Sequence, residues 1–261
     1  MVNPIAKPLL RLSQAQLQLL ETCPPQFQRR YLEQRYSPLD PQQQAKMVWG
    51  DRFHRLMQQW QAGLPLPDLS QSWPELGQSL EALIACLPPS TPIQQRAVEH
   101  QRFLSYRGYA LTVIYDLLIE EPGRAEIVDW KTYPQPPRLE PLQQHWQTSL
   151  YLYVLAETSD YHPDQLAMTY WFVKLPRKPQ SVTFPYSQAA HQATAQRLNR
   201  LLDSLDQWLV LYQSHNQDLP HRSDCLQNCP YATAGDIFLD HQGELTKKLD
   251  EGFHFVPGGP T

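Results

Sequence analysis

The sequence predicts a mixed α/β (α+β) fold: a mixed central sheet flanked by helices, with a helical N-terminal region and a loop-rich C-terminal extension. Two observations carry this. The first third of the chain has apolar residues at helical spacing, and at about residue 94 the period changes to the alternation of strands, rich in β-branched and aromatic side chains. A long amphipathic stretch after residue 187 then returns to the helical period. With 261 residues, 41% hydrophobic and 18% charged, the chain can bury a sizeable core and is neither disordered nor fibrous. Its 25 prolines against 10 glycines mark stiff connections between elements.

Ser13 reads as the N-cap of a helix carrying Leu17 and Leu20; Pro24 and Pro25 break it, and a second helix carries Phe27 and Tyr31. Residues 41–62 follow with Met47, Phe53, Met57 and Trp60 near helical spacing, and 73–86 form a further helical stretch ending before Pro88 and Pro89. RAVEHQRFLSYRG, YALTVIYDLLIEE and AEIVDWKT are three strands. Residues 139–157 return to helix, 165–174 and 180–186 are strands, and 188–213 is a long helix. The expected division is an N-terminal helical region over 1–93, a core over 94–214 and a Cys-containing extension over 215–261, folded as one integrated domain.

The net charge of -4 excludes a chain coated in basic charge, although a local basic cleft needs only a few Lys or Arg. No apolar run approaches a membrane span, and Lys7, Pro8 and Arg11 interrupt the N-terminal apolar stretch. A cytoplasmic protein without a membrane is expected. Four cysteines are too few for a secreted disulfide scaffold and suit a cluster, a metal or plain core packing.

Glu120-Glu121-Pro122-Gly123-Arg124 joins the second and third strands, and Pro then Gly at its centre signals a type II turn. A hairpin symmetric about Pro122-Gly123 sets Asp116 opposite Asp129 with Cβ atoms about 5 Å apart. Lys131 shares that face, because strand side chains alternate with period two. Facing carboxylates on apolar strands repel unless a cation lies between them. A divalent metal meets that need, with Lys131 orienting or deprotonating its water, which is the arrangement of metal-assisted hydrolysis. Taken alone, Asp129-x-Lys131 reads as a surface ion pair, whose lysine could be removed with the fold intact. Asp116, a charge interrupting the apolar LTVIYDLLIE, is what points to a metal.

These residues are also where the chain resembles the RecB-type nucleases of the PD-(D/E)XK superfamily, with the restriction-endonuclease-like fold. The resemblance covers roughly residues 12–235 and rests on an ordered set: LSQAQLQLLETCPPQF, Gly50-x-x-x-His54, Glu99, Asp116, the IVDWKT block with Asp129 and Lys131, and Gln147-x-x-x-Tyr151. It implies that His54, Asp116 and Asp129 ligate Mg2+ or Mn2+, and that Asp116, Asp129 and Lys131 are catalytic. Gln147 and Tyr151, at i and i+4 of a helix, would contact the nucleic acid.

Members of this kind related to the CRISPR-associated exonucleases hold an iron–sulfur cluster on one N-terminal and three C-terminal cysteines. Here Cys23 fits the first position, and Cys225 and Cys229 resemble two of the others, but no cysteine follows Cys229. An iron–sulfur cluster would therefore need Asp236, His221 or Cys86 as its fourth ligand. Cys86, in LIACLPP, otherwise has the surroundings of a buried core thiol.

The expectation is a metal-dependent nuclease hydrolysing DNA phosphodiesters, an exonuclease on single-stranded or frayed ends in repair, recombination or CRISPR adaptation, with helicase or CRISPR-adaptation proteins as partners. Arg29, Arg30, Arg52 and Arg55 could guide the backbone, although each also suits a solvated helix face. Two other readings stay open: a catalytically weak or inactive nuclease-fold module that binds DNA within a larger complex, and a hydrolase of a small phosphate compound.

Overall fold

The computed structural model describes residues 10–35, 41–88, 94–132, 138–174, 178–222, 225, 229, 231–232, 237–239 and 245–247. The chain forms two compact units, one from 1–17 with 37–199 and the other from 18–36 with 200–261. Among the described residues no helix is long and apolar enough to cross a membrane.

The first unit is built on a six-stranded mixed sheet of β1 (Leu10–Ser13), β2 (Gln95–Tyr106), β3 (Tyr109–Glu121), β4 (Arg124–Lys131), β5 (Leu166–Phe172) and β6 (Gln180–Pro185). The order is β1-β3-β4-β5-β6, with β2 paired to β3. One edge of β3 is antiparallel to β2 along most of its length. The other edge is shared: β4 pairs antiparallel with residues 117–121, and β1 pairs in parallel with residues 109–112. β4 and β5 are parallel, which requires a crossover; α5 (Leu139–Gln144) and α6 (Trp146–Glu157) supply it.

Both hairpins follow from their turn residues. Arg107 and Gly108 have φ of 50° and 78°, the paired left-handed conformation of a two-residue type I′ turn. Gly123, after Pro122, has φ 78°, the sign a type II turn needs at its second central residue.

Helices α3 (Pro41–Gln61) and α4 (Pro74–Cys86) bury an apolar stripe each: Trp49, Phe53, Leu56 and Met57 from α3, and Leu76, Leu80 and Leu83 from α4. These form one core cluster with Leu117, Val128, Trp130 and Val173. Shaving Leu83 to alanine there would cost roughly 2–5 kcal/mol. The stripe on α4 continues to Leu87, not Cys86, and the cysteine is exposed. The expectation of a buried core thiol is corrected: Cys86 ends the helix one position short of its covered face. α6 is covered almost all round, with Trp146, Leu150, Leu152, Val154 and Leu155 among its buried residues, as befits a core helix.

The expected helix start at Ser13 is a junction. Ser13 closes β1, and the helix α1 (Gln14–Thr22) begins after it. Ser13 N–H donates to Gln16 Oε1 (2.8 Å), and Gln16 N–H donates to Ser13 Oγ (3.4 Å), a reciprocal cap.

In the second unit, α2 (Pro24–Phe27) runs into a single π turn at Gln28–Leu32. Gln28 is fully buried and fully used: Nε2 donates to Glu33 Oε1 (2.7 Å) and Asp218 Oδ1 (2.6 Å), while Oε1 accepts from Leu219 N–H (2.7 Å). Arg29 pairs with the same two carboxylates, each at 2.5 Å, so its charge is committed within the fold. The helix α7 (Gln188–His215) runs through both units. The stretch expected to be loop-rich also holds a small sheet, β7 (His221–Arg222), β8 (Ile237–Leu239) and β9 (Leu245–Lys247).

Candidate active site

The site is built where two ladders of the first unit skip the same residue. β2 and β3 pair with Val98 opposite Leu117 and His100 opposite Tyr115. β3 and β4 pair from Glu121–Arg124 to Leu117–Val128. Both registers carry Glu99 and Asp129 to either side of Asp116, and neither ladder includes that row. The expected hairpin register therefore holds, but the pairing stops one step before the two aspartates. Instead Asp116 Oδ2 accepts the backbone N–H of Trp130 at 2.8 Å. Glu99 has φ 49°, a left-handed conformation that costs a non-glycine residue on the order of 1 kcal/mol. Three carboxylates in one row of a sheet repel, and the row is where the sheet is distorted.

His54 reaches this row from α3, its Nδ1 lying 3.2 Å from Asp116 Oδ1. One ligand atom each of His54, Glu99 and Asp116 lie within 4.8 Å of one another. Burial pulls the His54 imidazole down, but Asp116 at its ring nitrogen, with Asp129 and Glu99 beyond, outweighs this and raises its pKa. Glu99 is likewise raised, first by the partial burial of its carboxyl and then by the Asp116 charge. Glu99 stood in the ordered motif without a role, and its place beside Asp116 depends on the β2 distortion.

Asp129 and Lys131 are buried, 4% and 9% exposed. Lys131 Nζ is 2.8 Å from Asp129 Oδ2 and 4.9 Å from the Tyr170 ring centre. Gln147 completes the arrangement: Lys131 Nζ donates to its Oε1 and its Nε2 donates to Asp129 Oδ1, each at 2.6 Å. The surface ion pair expected from the triplet is thus corrected. At Asp129–Lys131 β4 is laddered to β5, and the pair is covered by Gln147 of α6 and by the Tyr170 ring. Burial, then the Asp116 charge, pushes the Asp129 carboxyl up against the pull of Lys131; breaking such a pair leaves an uncompensated buried charge.

Gln147 owes its position to the start of α6. His145, in extended conformation, caps that helix by accepting Gln147 N–H on Nδ1 at 3.1 Å, which needs a neutral ring. Burial, then Lys131 and Arg197, lowers its pKa and keeps it so. The sequence offered no signal for this, since histidine is not a usual cap residue. One turn on, Tyr151 is 7% exposed. Its ring packs edge-on against Tyr115 at 5.4 Å, and Tyr115 Oη donates to its carbonyl at 3.1 Å. Burial takes Tyr151 into the core beneath Gln147 and leaves little of its ring for a nucleic-acid strand.

The model of the PD-(D/E)XK nuclease superfamily matches residues 11–234. The chain belongs to that superfamily. No curated protein matches it. Solved structures similar to this PD-(D/E)XK chain include the following two. SSO0001 has a TM-score of 0.41 and 14% identity, with 89% of this chain and 85% of that one covered. A protein provisionally named an exonuclease, from Eubacterium rectale, has a TM-score of 0.48 and 10% identity, with 74% and 80% covered. PD-(D/E)XK nucleases generally use divalent metals, and the row of His54, Glu99 and Asp116 has the hard oxygen and imidazole donors such ions take.

The second unit of this nuclease gathers a different set. Cys23, His221, Cys225 and Cys229 bring one sulfur or ring nitrogen each within 4.8 Å of one another. Cys23, His221 and Cys229 are buried. Of the three candidates for a fourth ligand, His221 is the residue grouped with the three cysteines; Cys86 is exposed at the end of α4, and Asp236 falls outside the described residues. Among the basic residues, Arg52 stacks on Trp73 at 4.1 Å and Arg30 on Tyr31 at 5.7 Å.

Proposed function

We propose that this PD-(D/E)XK nuclease is an Mg2+- or Mn2+-dependent deoxyribonuclease that hydrolyses DNA phosphodiester bonds, acting as an exonuclease on single-stranded or frayed ends. The observation that carries the reading is the buried Asp129–Lys131 pair held by Gln147, with Asp129 in the same row of the sheet as Glu99 and Asp116. A structural ion pair has no need of a glutamine spanning both partners, nor of an unpaired row of carboxylates beside it. Three acidic residues with raised or crowded carboxyls fit a divalent cation, which would remove their repulsion.

In this reading His54, Glu99 and Asp116 would hold the ion, while Asp129, the third ligand the resemblance implies, is engaged by Lys131 and Gln147. The bound ion would lower the pKa of a water and stabilise charge on the phosphate. Lys131, kept in place by Asp129 and Gln147, orients the attacking water and offsets the negative charge that builds on the phosphate oxygens. The water gives up a proton to solvent as its oxygen bonds to phosphorus, the bond to the sugar oxygen breaks, and that oxygen takes up a proton from solvent. Ends processed in this way suit repair, recombination or CRISPR adaptation, with helicase or adaptation proteins as partners.

The test is digestion of end-labelled single- and double-stranded DNA with Mg2+, Mn2+ or EDTA, comparing wild type with Lys131→Met, which keeps most of the side-chain volume. Metal-dependent digestion from the ends, lost in the variant, is expected. DNA bound but left intact by the wild type in every metal would move the reading to a non-catalytic module.

A further inference from the structure

We propose that the second unit carries a structural Zn2+ held tetrahedrally by Cys23, His221, Cys225 and Cys229, in place of an iron–sulfur cluster. The spacing of the donor atoms decides between the two. A single Zn2+ with Zn–S of about 2.3 Å and Zn–N of about 2.0–2.1 Å sets its ligand atoms roughly 3.5–3.8 Å apart along the edges of a tetrahedron. Cys23 Sγ and Cys229 Sγ are 3.4 Å apart, and His221 Nδ1 is 3.3 Å from Cys225 Sγ; all four atoms lie within 4.8 Å of one another. A [4Fe–4S] cluster puts its four ligands on four irons and a [2Fe–2S] cluster puts two on each of two irons, so in either case ligands on different irons stand further apart than ligands around one ion. A disulfide between Cys23 and Cys229 would need about 2.05 Å between the sulfurs, and none of the four cysteines is in one.

The chemistry agrees with the geometry. Three sulfurs this close would repel as thiolates without a cation, and Zn2+ deprotonates coordinating thiols outright, releasing the protons to solvent. His221 replaces the missing cysteine with a neutral donor, and a mixed set of three cysteines and one histidine is a common closed zinc site with no open coordination position. The ion would join Cys23 to a segment 206 residues further on, both within the second unit, and so clip together its two distant stretches of chain. This inference does not depend on the nuclease reading.

The test uses the full-length protein purified without chelator. Elemental analysis should give one zinc per chain with no iron or acid-labile sulfide, and Co2+ exchanged into the site should show the visible bands of tetrahedral cobalt with a thiolate charge-transfer band. His221→Ala should weaken Zn2+ binding by at least the roughly 10- to 100-fold that loss of an outer-shell partner brings. His221→Cys should keep the zinc, which covers the case in which the alanine variant fails to fold. A brown protein with iron and sulfide would overturn the proposal in favour of a cluster. So would two fewer titratable thiols with no metal, which would mean a Cys23–Cys229 disulfide, or a His221→Ala variant that binds Zn2+ as tightly as wild type.

Discussion

Gln147 holds Asp129 by its amide nitrogen, Nε2 donating to Asp129 Oδ1 at 2.6 Å. The oxygen of the same amide accepts from Lys131 Nζ at 2.6 Å. A glutamine amide is the neutral group that can satisfy an anion at one end and a cation at the other. Its position on α6 is therefore tied to the pair on β4, and the helix and the sheet fix the two charges together.

Removing that amide should loosen both charges. Gln147→Ala is expected to lower kcat by about 10- to 100-fold, the range for losing a group that orients a metal-site residue, with DNA affinity little changed. Gln147→Glu should be worse, because it keeps an acceptor for Lys131 but sets a second carboxylate against Asp129. Single-turnover digestion alongside DNA-binding titrations separates the two effects. A variant that loses binding and keeps its rate would make Gln147 a DNA contact rather than a positioning residue.

Lys131→Ala should cost stability as well as activity, in contrast to the expectation for a surface lysine. Leaving Asp129 buried without its partner costs roughly 3–5 kcal/mol at neutral pH, less whatever protonation of the carboxyl relieves. Pairing Lys131→Met with Asp129→Asn should recover much of that loss while activity stays absent. Urea unfolding of the single and double variants at pH 8 checks this. A cost below about 0.5 kcal/mol for the single variant would place the pair in the range of surface contacts.

The parts of this arrangement legible in the sequence were local ones. Pro122-Gly123 and the period-two alternation sufficed for the hairpin register, because turn and pleat are set by neighbouring residues. The break at Asp116 was not legible. It depends on β1 taking over the edge of β3 that β4 leaves, and the four residues of β1, LRLS, are too short to show a period. The left-handed Glu99 follows from a distortion inside the β2–β3 hairpin that the alternation does not signal, and the buried state of Lys131 follows from β5, which meets β4 from further along the chain. His221 was one of three candidates for a fourth ligand, since nothing in HRSDC separates a ligand from a strand residue; Cys23, brought beside it by folding, does.

Asp116→Asn should weaken the divalent site and stabilise the protein without metal. Asp116 raises both Glu99 and Asp129, so its charge is unfavourable to its neighbours, while an asparagine oxygen can still accept the Trp130 N–H. The gain is expected at roughly 0.2–1 kcal/mol, the size of a cross-strand charge pair. Denaturant unfolding in EDTA at pH 8 measures it, and Mn2+ titration reports the loss of metal. A clear fall in stability without metal would mean that the contact with His54 outweighs the repulsion.

His145 gives the site a pH dependence of predictable sign. Its folded pKa lies below the ordinary value through burial and the charges of Lys131 and Arg197. Between the folded and unfolded values the unfolded chain binds the extra proton, so stability rises with pH there. The contribution of His145 is complete above its unfolded pKa of about 6.5 and is lost as pH falls below it towards the lower folded value. Protonation would turn Nδ1 from acceptor to donor against Gln147 N–H and put a positive charge at a helix N-terminus. His145→Asn keeps a capping oxygen that does not titrate, so its stability should fall less than that of wild type between about pH 7 and pH 5. His145→Ala should lose about 1 kcal/mol already at pH 8. Urea unfolding across that range measures both, and an asparagine variant with the same pH slope as wild type would show that the ring is not the group responsible.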